Sequence, residues 1–351
     1  MSKSSPSIFG SADTQFFFDL TPERILAAVE SLGYRCTGRC LPLNSMENRV
    51  YEVEIDLDEP PKTPSERFRI VKFYRPGRWT EAQILEEHTF LLDLVEYELP
   101  VVPPLKSPDG RTLFAIEATE IFFAVFPKVG GRSPDELTPD QLSQIGRLIG
   151  RLHSVGATRV ASERIHCTPE NLLLSGLDYL LDSDTIPVEL QARYESVVEG
   201  IYSRSVGLFE GVECQRIHGD CHLRNLLWNS SGLTIVDFDD MMVGPCVQDL
   251  WLLVPGRDRD SVKQLDQILA GYEQMREFDQ STLRLIEPLR AMRMVHFSAW
   301  IGRRWHDPAF PAAFPAFETP RYWQDQVLDL QELLSIIDEG GWGVSQAQED
   351  W

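Results

Sequence analysis

Long apolar runs, paired cysteines and an excess of basic residues are all missing from these 351 residues. The longest apolar stretch, Ile121 to Phe126, falls far short of the ~20 residues that cross a bilayer, so no membrane span is expected. The N-terminus, Met1-Ser2-Lys3-Ser4-Ser5-Pro6, carries no apolar core of the kind a signal peptide needs, and the expected compartment is the cytoplasm. Six cysteines, at positions 36, 40, 167, 214, 221 and 246, are scattered without the second pair that would turn Cys36-x-x-x-Cys40 into a zinc site, so buried or free thiols are expected. With 33 Lys and Arg against 54 Asp and Glu, the formal net charge is -21 and the sequence pI about 4.7. Such a chain is repelled by nucleic acid and by anionic membranes, and neither is expected as its main partner. No repeat of solenoid length occurs.

What is present is an ordinary soluble composition, 43% hydrophobic and 25% charged, over a length that favours two lobes and a large core. The most informative stretch is His218-Gly219-Asp220-Cys221-His222-Leu223-Arg224-Asn225, followed by Ile235-Val236-Asp237-Phe238-Asp239-Asp240. An Asp with an Asn five residues on, then an Asp closing an apolar run, is the spacing by which a kinase positions one base and two magnesium ligands. The chemistry asks for these types: a carboxylate to accept a hydrogen bond from the attacking hydroxyl, and hard oxygen donors for the metal. Asp220 is therefore the candidate proton acceptor, and Asn225 and Asp237 are the candidate Mg2+ ligands, with Asp237 on the rigid end of a buried strand and counted with Asp220 as catalytic. Asp239 and Asp240 add negative charge, and Asp239 is expected to support the ligands from behind. His218-x-Asp220-x-His222 also alternates as a hydrolase's metal-ligand cluster would, a reading that leaves Asn225 and Asp237 without a task. Otherwise His218 and His222 brace the loop, and Cys221 is a small space-filler or a redox-sensitive thiol.

The preceding half of the chain has the makings of a nucleotide site. Thr21-Pro22 opens a short helix, with Thr as cap and Pro at the first position. Leu41 to Arg49 reads as a turn between two strands, after which Tyr51, Val53 and Ile55 alternate with acidic residues at the period of a half-buried strand. Phe68 to Tyr74 is the next strand, and Lys72 lies on its apolar face, either snorkelling to water or paired with a fixed anion. Thr80-Glu81-Ala82-Gln83 is a capping box, and the helix behind it turns Glu87 toward the border of its apolar face and Glu86 nearly opposite. A strand Lys paired with a helix Glu is the ion pair that orders a triphosphate, which favours Lys72 with Glu87.

Ile121 to Phe126 reads as a buried strand that runs into Pro127-Lys128-Val129-Gly130-Gly131, a linker between lobes where an adenine ring can bond backbone near Phe126 and Lys128. The expected domains are accordingly 1–126, a nucleotide-binding lobe, 127–131, a hinge, and 132–351, a catalytic and substrate-binding lobe. A second capping box, Thr138 to Gln141, starts an amphipathic helix reaching Gly156, and the remainder reads as largely helical. Asp249, at a later helix start, either stabilises the helix dipole or accepts backbone N–H groups of the 218–222 loop. Arg290, Arg293, Arg303 and Arg304 share one helix and read as salt bridges or as a phosphate-facing edge. Pro308 to Phe317 reads as an irregular ordered loop.

Several strings have no general chemical necessity: Leu43-Asn44-Ser45-Met46-Glu47-Asn48-Arg49-Val50-Tyr51, Val71-Lys72-Phe73-Tyr74-Arg75-Pro76, His218 to His222, Ile286-Glu287-Pro288-Leu289-Arg290-Ala291-Met292-Arg293 and Trp305-His306-Asp307-Pro308-Ala309-Phe310-Pro311. Together, from about residue 15 to 330, they resemble the bacterial stress response kinase A family. The resemblance implies an α+β fold of the protein-kinase-like type, aminoglycoside-phosphotransferase branch: a small N-lobe with an antiparallel sheet plus a helix, and a larger, mostly helical C-lobe. It also implies an ATP- and Mg2+-dependent serine/threonine protein kinase in bacterial stress response, acting on protein hydroxyls; the chain itself is one candidate substrate, and a monomer is expected. Under it Ser45 contacts the nucleotide from the phosphate-covering turn, Asp220 accepts the proton, and Asn225 and Asp237 bind magnesium.

The chain departs from eukaryotic protein kinases in lacking Gly-x-Gly-x-x-Gly and Ala-Pro-Glu, in placing Gly219 before Asp220, and in ending its metal segment Asp237-Phe238-Asp239. Those departures suit small-molecule kinases of the same branch, for aminoglycosides, choline or homoserine, equally well. A nucleotide-binding scaffold without turnover is a third class, disfavoured because Lys72, Asp220, Asn225 and Asp237 are all present.

Overall fold

The computed structural model describes Phe17 and residues 20–342 apart from 118, 135, 231 and 255; the polar, Ser-rich start of the chain lies almost wholly outside them. The described chain forms two compact units, one made from Gly10–Asp135 with Leu223–Asp239, the other from Glu136–His222 with Asp240–Trp351. In chain order the first holds α1 (Pro22–Glu30), β1 (Arg35–Leu43), β2 (Arg49–Asp56), β3 (Phe68–Phe73), α2 (Glu81–Glu96), β4 (Phe114–Ala115) and β5 (Phe122–Pro127). The second begins with α3 (Pro139–Gly156), α4 (Ser175–Asp182), α5 (Val188–Ser205) and β6 (Gln215–Ile217). The chain then returns to the first unit for the hairpin β7 (Leu226–Asn229) and β8 (Gly232–Ile235). It ends in the second unit with β9 (Met242–Gly244), α6 (Val247–Trp251), α7 (Arg259–Tyr272), α8 (Ile286–Arg303), α9 (Ala309–Ala313) and α10 (Pro320–Asp338). The α+β class follows from this content.

In the first unit the five strands pair antiparallel in the order β1-β2-β3-β5-β4. Alternation sends Val53, Ile55, Val71, Phe73, Phe123 and Val125 into one core with Ile25 and Val29 of α1. Lys72, between two of those residues, points to the opposite face, in register with Val50 and Ala124. The capping boxes of α2 and α3 are complete, with Thr80 and Thr138 each accepting from the backbone N–H three residues on. In the second unit α3 and α7 meet at glycines. A Cβ on Gly146 would lie 1.9 Å from the Ile268 carbonyl oxygen, and one on Gly271 2.2 Å from that of Ser143. The short helix α9 replaces the irregular loop expected over Pro308–Phe317: Phe310 donates its N–H to the Asp307 carbonyl and is fully buried against Trp300. Its Pro and Ala residues hid that turn from a reading by composition.

Candidate functional site

Four predicted or suspected residues converge in the first unit. Lys72 reaches across from β3 and places its ammonium 3.4 Å from Glu87 on α2, 2.8 Å from Asp239 and 4.0 Å from Asp237. Helical spacing thus turns Glu87, and not Glu86, inward, while the nearest carboxylate is Asp239. Burial alone would pull the Lys72 ammonium down, but Asp239, then Glu87, Tyr74 and Asp237 outweigh it and hold its pKa well above the ordinary value. The same wall is stiffened by Tyr74, whose hydroxyl bonds His88 at 2.9 Å, and by His88, which bonds Thr112 at 2.8 Å.

The hairpin β7–β8 positions the two candidate metal ligands. Leu226 pairs with Ile235, and the next residue outward, Val236, donates its N–H to the Asn225 carbonyl at 3.0 Å, which brings Asn225 beside the start of the Asp237 segment. Asp237 adopts φ 66°, the left-handed region, with its side chain 61% exposed. That conformation costs a non-glycine residue on the order of 1 kcal/mol, and the flanking anchors hold it: Phe238 packs edge-on against Phe90, and Asp239 is tied to Lys72. Among the described residues no group of three or more His, Cys, Asp or Glu is arranged for a metal ion. Magnesium bound with a nucleotide asks less of the protein, one or two hard oxygen ligands with phosphates and water completing the shell, and the Asp237 carboxylate with the Asn225 amide oxygen is a donor set of that type.

The turn carrying Ser45 is held from below by a buried arginine. Arg75 donates to the carbonyls of Glu47 at 2.8 Å and Met46 at 3.2 Å, its own N–H bonds the Asn48 side chain at 3.1 Å, and its guanidinium pairs with Glu47 at 3.2 Å. Arg78 adds a second cation 3.8 Å from Glu47. A turn without glycines is thereby fixed by side chains. At the end of β5, Phe126 is buried and pairs with Ile70, while the Lys128 ammonium is tied to Glu52 at 2.5 Å and lies over Phe68. What Lys128 offers a ligand is consequently its backbone.

Asp220 belongs to the second unit. Its loop rests on Asp249 of α6, whose two oxygens accept the backbone N–H groups of His218 and Gly219, each at 2.8 Å. Behind Asp249 stands fully buried His153 of α3, 3.0 Å away and also bonded to the Tyr272 hydroxyl. Burial would lower the His153 pKa, but Cys246 and Asp249 reverse this and push it up to about 9. Gly219 sits at φ +86°, and a Cβ there would fall 2.2 Å from the Asp240 carbonyl oxygen, so no side chain fits before Asp220. One Asp220 oxygen accepts from Arg293 of α8 at 2.6 Å and the other lies 3.5 Å from His222. Burial raises the Asp220 pKa, yet Arg293 and His222 carry it below the usual carboxylate value. Of the other α8 arginines, Arg290 lies over Trp251 and pairs with buried Glu287, and Arg303 lies over Tyr179. His153, Arg75 and the Asp220–Arg293 pair were not singled out by spacing. A lone His on the apolar face of α3 was the only trace of the first.

Comparison with known proteins gives the chain its relatives. Residues 40–286 match the phosphotransferase enzyme family. Stress response kinase A of Escherichia coli K12 is 40% identical over 324 residues, 92% of this chain and 95% of that protein. The serine/threonine protein kinase RdoA of Salmonella typhimurium is 40% identical over 329 residues, 93% and 97% of the two chains. Among solved structures, amicoumacin kinase hAmiN in complex with AMP-PNP, Ca2+ and Ami aligns with TM-score 0.66 at 19% identity, covering 87% of this chain and 93% of that one. A microcompartment-associated aminopropanol kinase aligns with TM-score 0.65 at 21% identity, covering 87% and 99%. The last two likenesses concern the fold.

Proposed function

We propose, from the premise that this chain belongs to the phosphotransferase enzyme family and within it to the stress response kinase A group, that it is an ATP- and magnesium-dependent kinase of serine and threonine hydroxyls on proteins. The observation that carries this is the buried Lys72 ammonium among Glu87, Asp239 and Asp237, together with Asp220 on a loop fixed by Asp249. Lys72, kept protonated by its carboxylates, holds the phosphates in line. Ser45, on the turn clamped by Arg75, covers them, and the backbone near Phe126 and Lys128 takes the adenine. Asn225 and Asp237 would hold magnesium, which would supply charge neutralisation on the triphosphate. Asp220, ionised because Arg293 and His222 oppose the effect of burial, accepts the hydrogen bond of the attacking hydroxyl and takes its proton as the oxygen–phosphorus bond to the acceptor forms, while the bond from the γ-phosphorus to the bridging oxygen breaks and ADP leaves.

Protein hydroxyls are favoured by the relatives of 40% identity, one of which is named a serine/threonine protein kinase. The second reading, a small-molecule kinase, draws on the aligned structures, whose names include an amicoumacin kinase and an aminopropanol kinase. A bacterial stress role and a cytoplasmic location belong to the same proposal; no helix among the described residues is long and apolar enough to cross a membrane. Purified protein incubated with magnesium, radiolabelled ATP, a generic protein and a panel of small alcohols, alongside Asp220→Ala, tests the reading. Label on protein Ser or Thr that the variant fails to transfer supports it. Label confined to a small alcohol replaces it with the second.

A further inference from the structure

Asp220 is paired with one partly exposed cation in an acidic protein. Against a net charge of -21, its carboxylate has the Arg293 guanidinium at 2.6 Å and the His222 ring at 3.5 Å, while its own N–H donates to the His218 ring at 3.3 Å. An ammonium carried next to the acceptor hydroxyl is repelled by that guanidinium. A hydroxyl flanked by an oxyanion is drawn to it.

Arg293 has the means to make that distinction. A guanidinium carries five N–H donors in a rigid fork, and the Asp220 bond uses one of them, at Nη1. The side chain is 38% exposed, whereas Arg290 and Arg303 on the same helix are placed over Trp251 and Tyr179. One turn on from Arg293, Phe297 is 41% exposed and stacked on Trp300, which extends an accessible stripe away from Asp220 along α8.

We propose that Arg293 selects the acceptor: while one N–H holds Asp220, its other donors bind an oxyanion carried next to the acceptor hydroxyl, a carboxylate or a phosphate. The inference rests on Asp220 being the base. It specifies the charge of the acceptor and is independent of whether that acceptor is a protein.

The test uses one panel in three charge states. Ser-containing peptides flanked by Glu, phosphoserine, Gln or Lys are assayed beside short hydroxy acids, neutral diols and amino alcohols, with wild type, Arg293→Gln and Arg293→Lys, and kcat and KM are read separately. Wild type is expected to favour anionic acceptors over neutral ones by about tenfold or more in kcat/KM, the size of one charge-assisted hydrogen bond. Arg293→Gln is expected to lower kcat for every acceptor, because Asp220 loses its cation, and beyond that common loss to remove the preference through KM for the anionic acceptors, with Arg293→Lys restoring part of both. Glu against phosphoserine separates carboxylate from phosphate as the group recognised. Equal losses for every acceptor in Arg293→Gln, as a structural role or a contact to the transferred phosphate would give, overturn the proposal, as does a wild-type preference for cationic acceptors. A charge preference seen only among small alcohols upholds the role of Arg293 and overturns the protein-kinase reading; transfer to no member of the panel counts against both.

Discussion

Single side chains set the chemistry of this protein through what surrounds them. Lys72 is the clearest case, an ammonium almost out of water and kept charged by Asp239 and Glu87. Replacing it with Met leaves those carboxylates without their shared cation, and Lys72→Met is expected to lose about 3–5 kcal/mol of stability in urea unfolding together with nucleotide affinity. An unchanged unfolding midpoint would contradict that account. Gly219 offers a second test at this scale. Because its φ is +86° and a Cβ would strike the Asp240 carbonyl, Gly219→Ala is expected to displace the Asp220 loop and cut turnover strongly while nucleotide affinity holds. Turnover equal to wild type would show the loop to be more compliant than its packing implies.

At the scale of elements, much was legible in the sequence. Thr21, Thr80 and Thr138 marked helix starts because caps act within one turn, and the 100° spacing of α2 put Glu87 inward. Period-two alternation put Lys72 on the face of Phe68 and Ile70, read as the apolar one, whereas the core residues Val71 and Phe73 lie on the opposite face. The bracing of the turn that carries Ser45 was not legible, because Arg75 is 28 residues from Glu47 and only the pairing of β2 with β3 brings them together. The contact of Arg293 with Asp220 spans 73 residues and depends on the packing of a helix, which no local pattern encodes. The turn itself gives a prediction: Arg75→Ala is expected to raise KM for ATP severalfold with a smaller effect on kcat, since the carbonyls of Met46 and Glu47 lose their donor. A change confined to kcat would place Arg75 elsewhere in the mechanism.

For the whole molecule, stability should carry the signature of His153. Its ordinary pKa is 6.5 and its folded value about 9, so the folded protein binds the proton more tightly. That contribution is complete below about pH 6.5 and disappears as pH rises through about 9. The difference in melting temperature between wild type and His153→Gln is expected to shrink across that window; a constant difference would mean that His153 is neutral in the folded state. The division of labour between the two units is tested most directly by comparing Asp237→Asn with Asp220→Asn for magnesium-dependent ATP binding, by calorimetry, and for phosphoryl transfer. The account predicts that Asp237→Asn loses magnesium-dependent binding, whereas Asp220→Asn binds as wild type does and loses about a hundredfold or more in turnover. Equal loss of binding in both variants would contradict it.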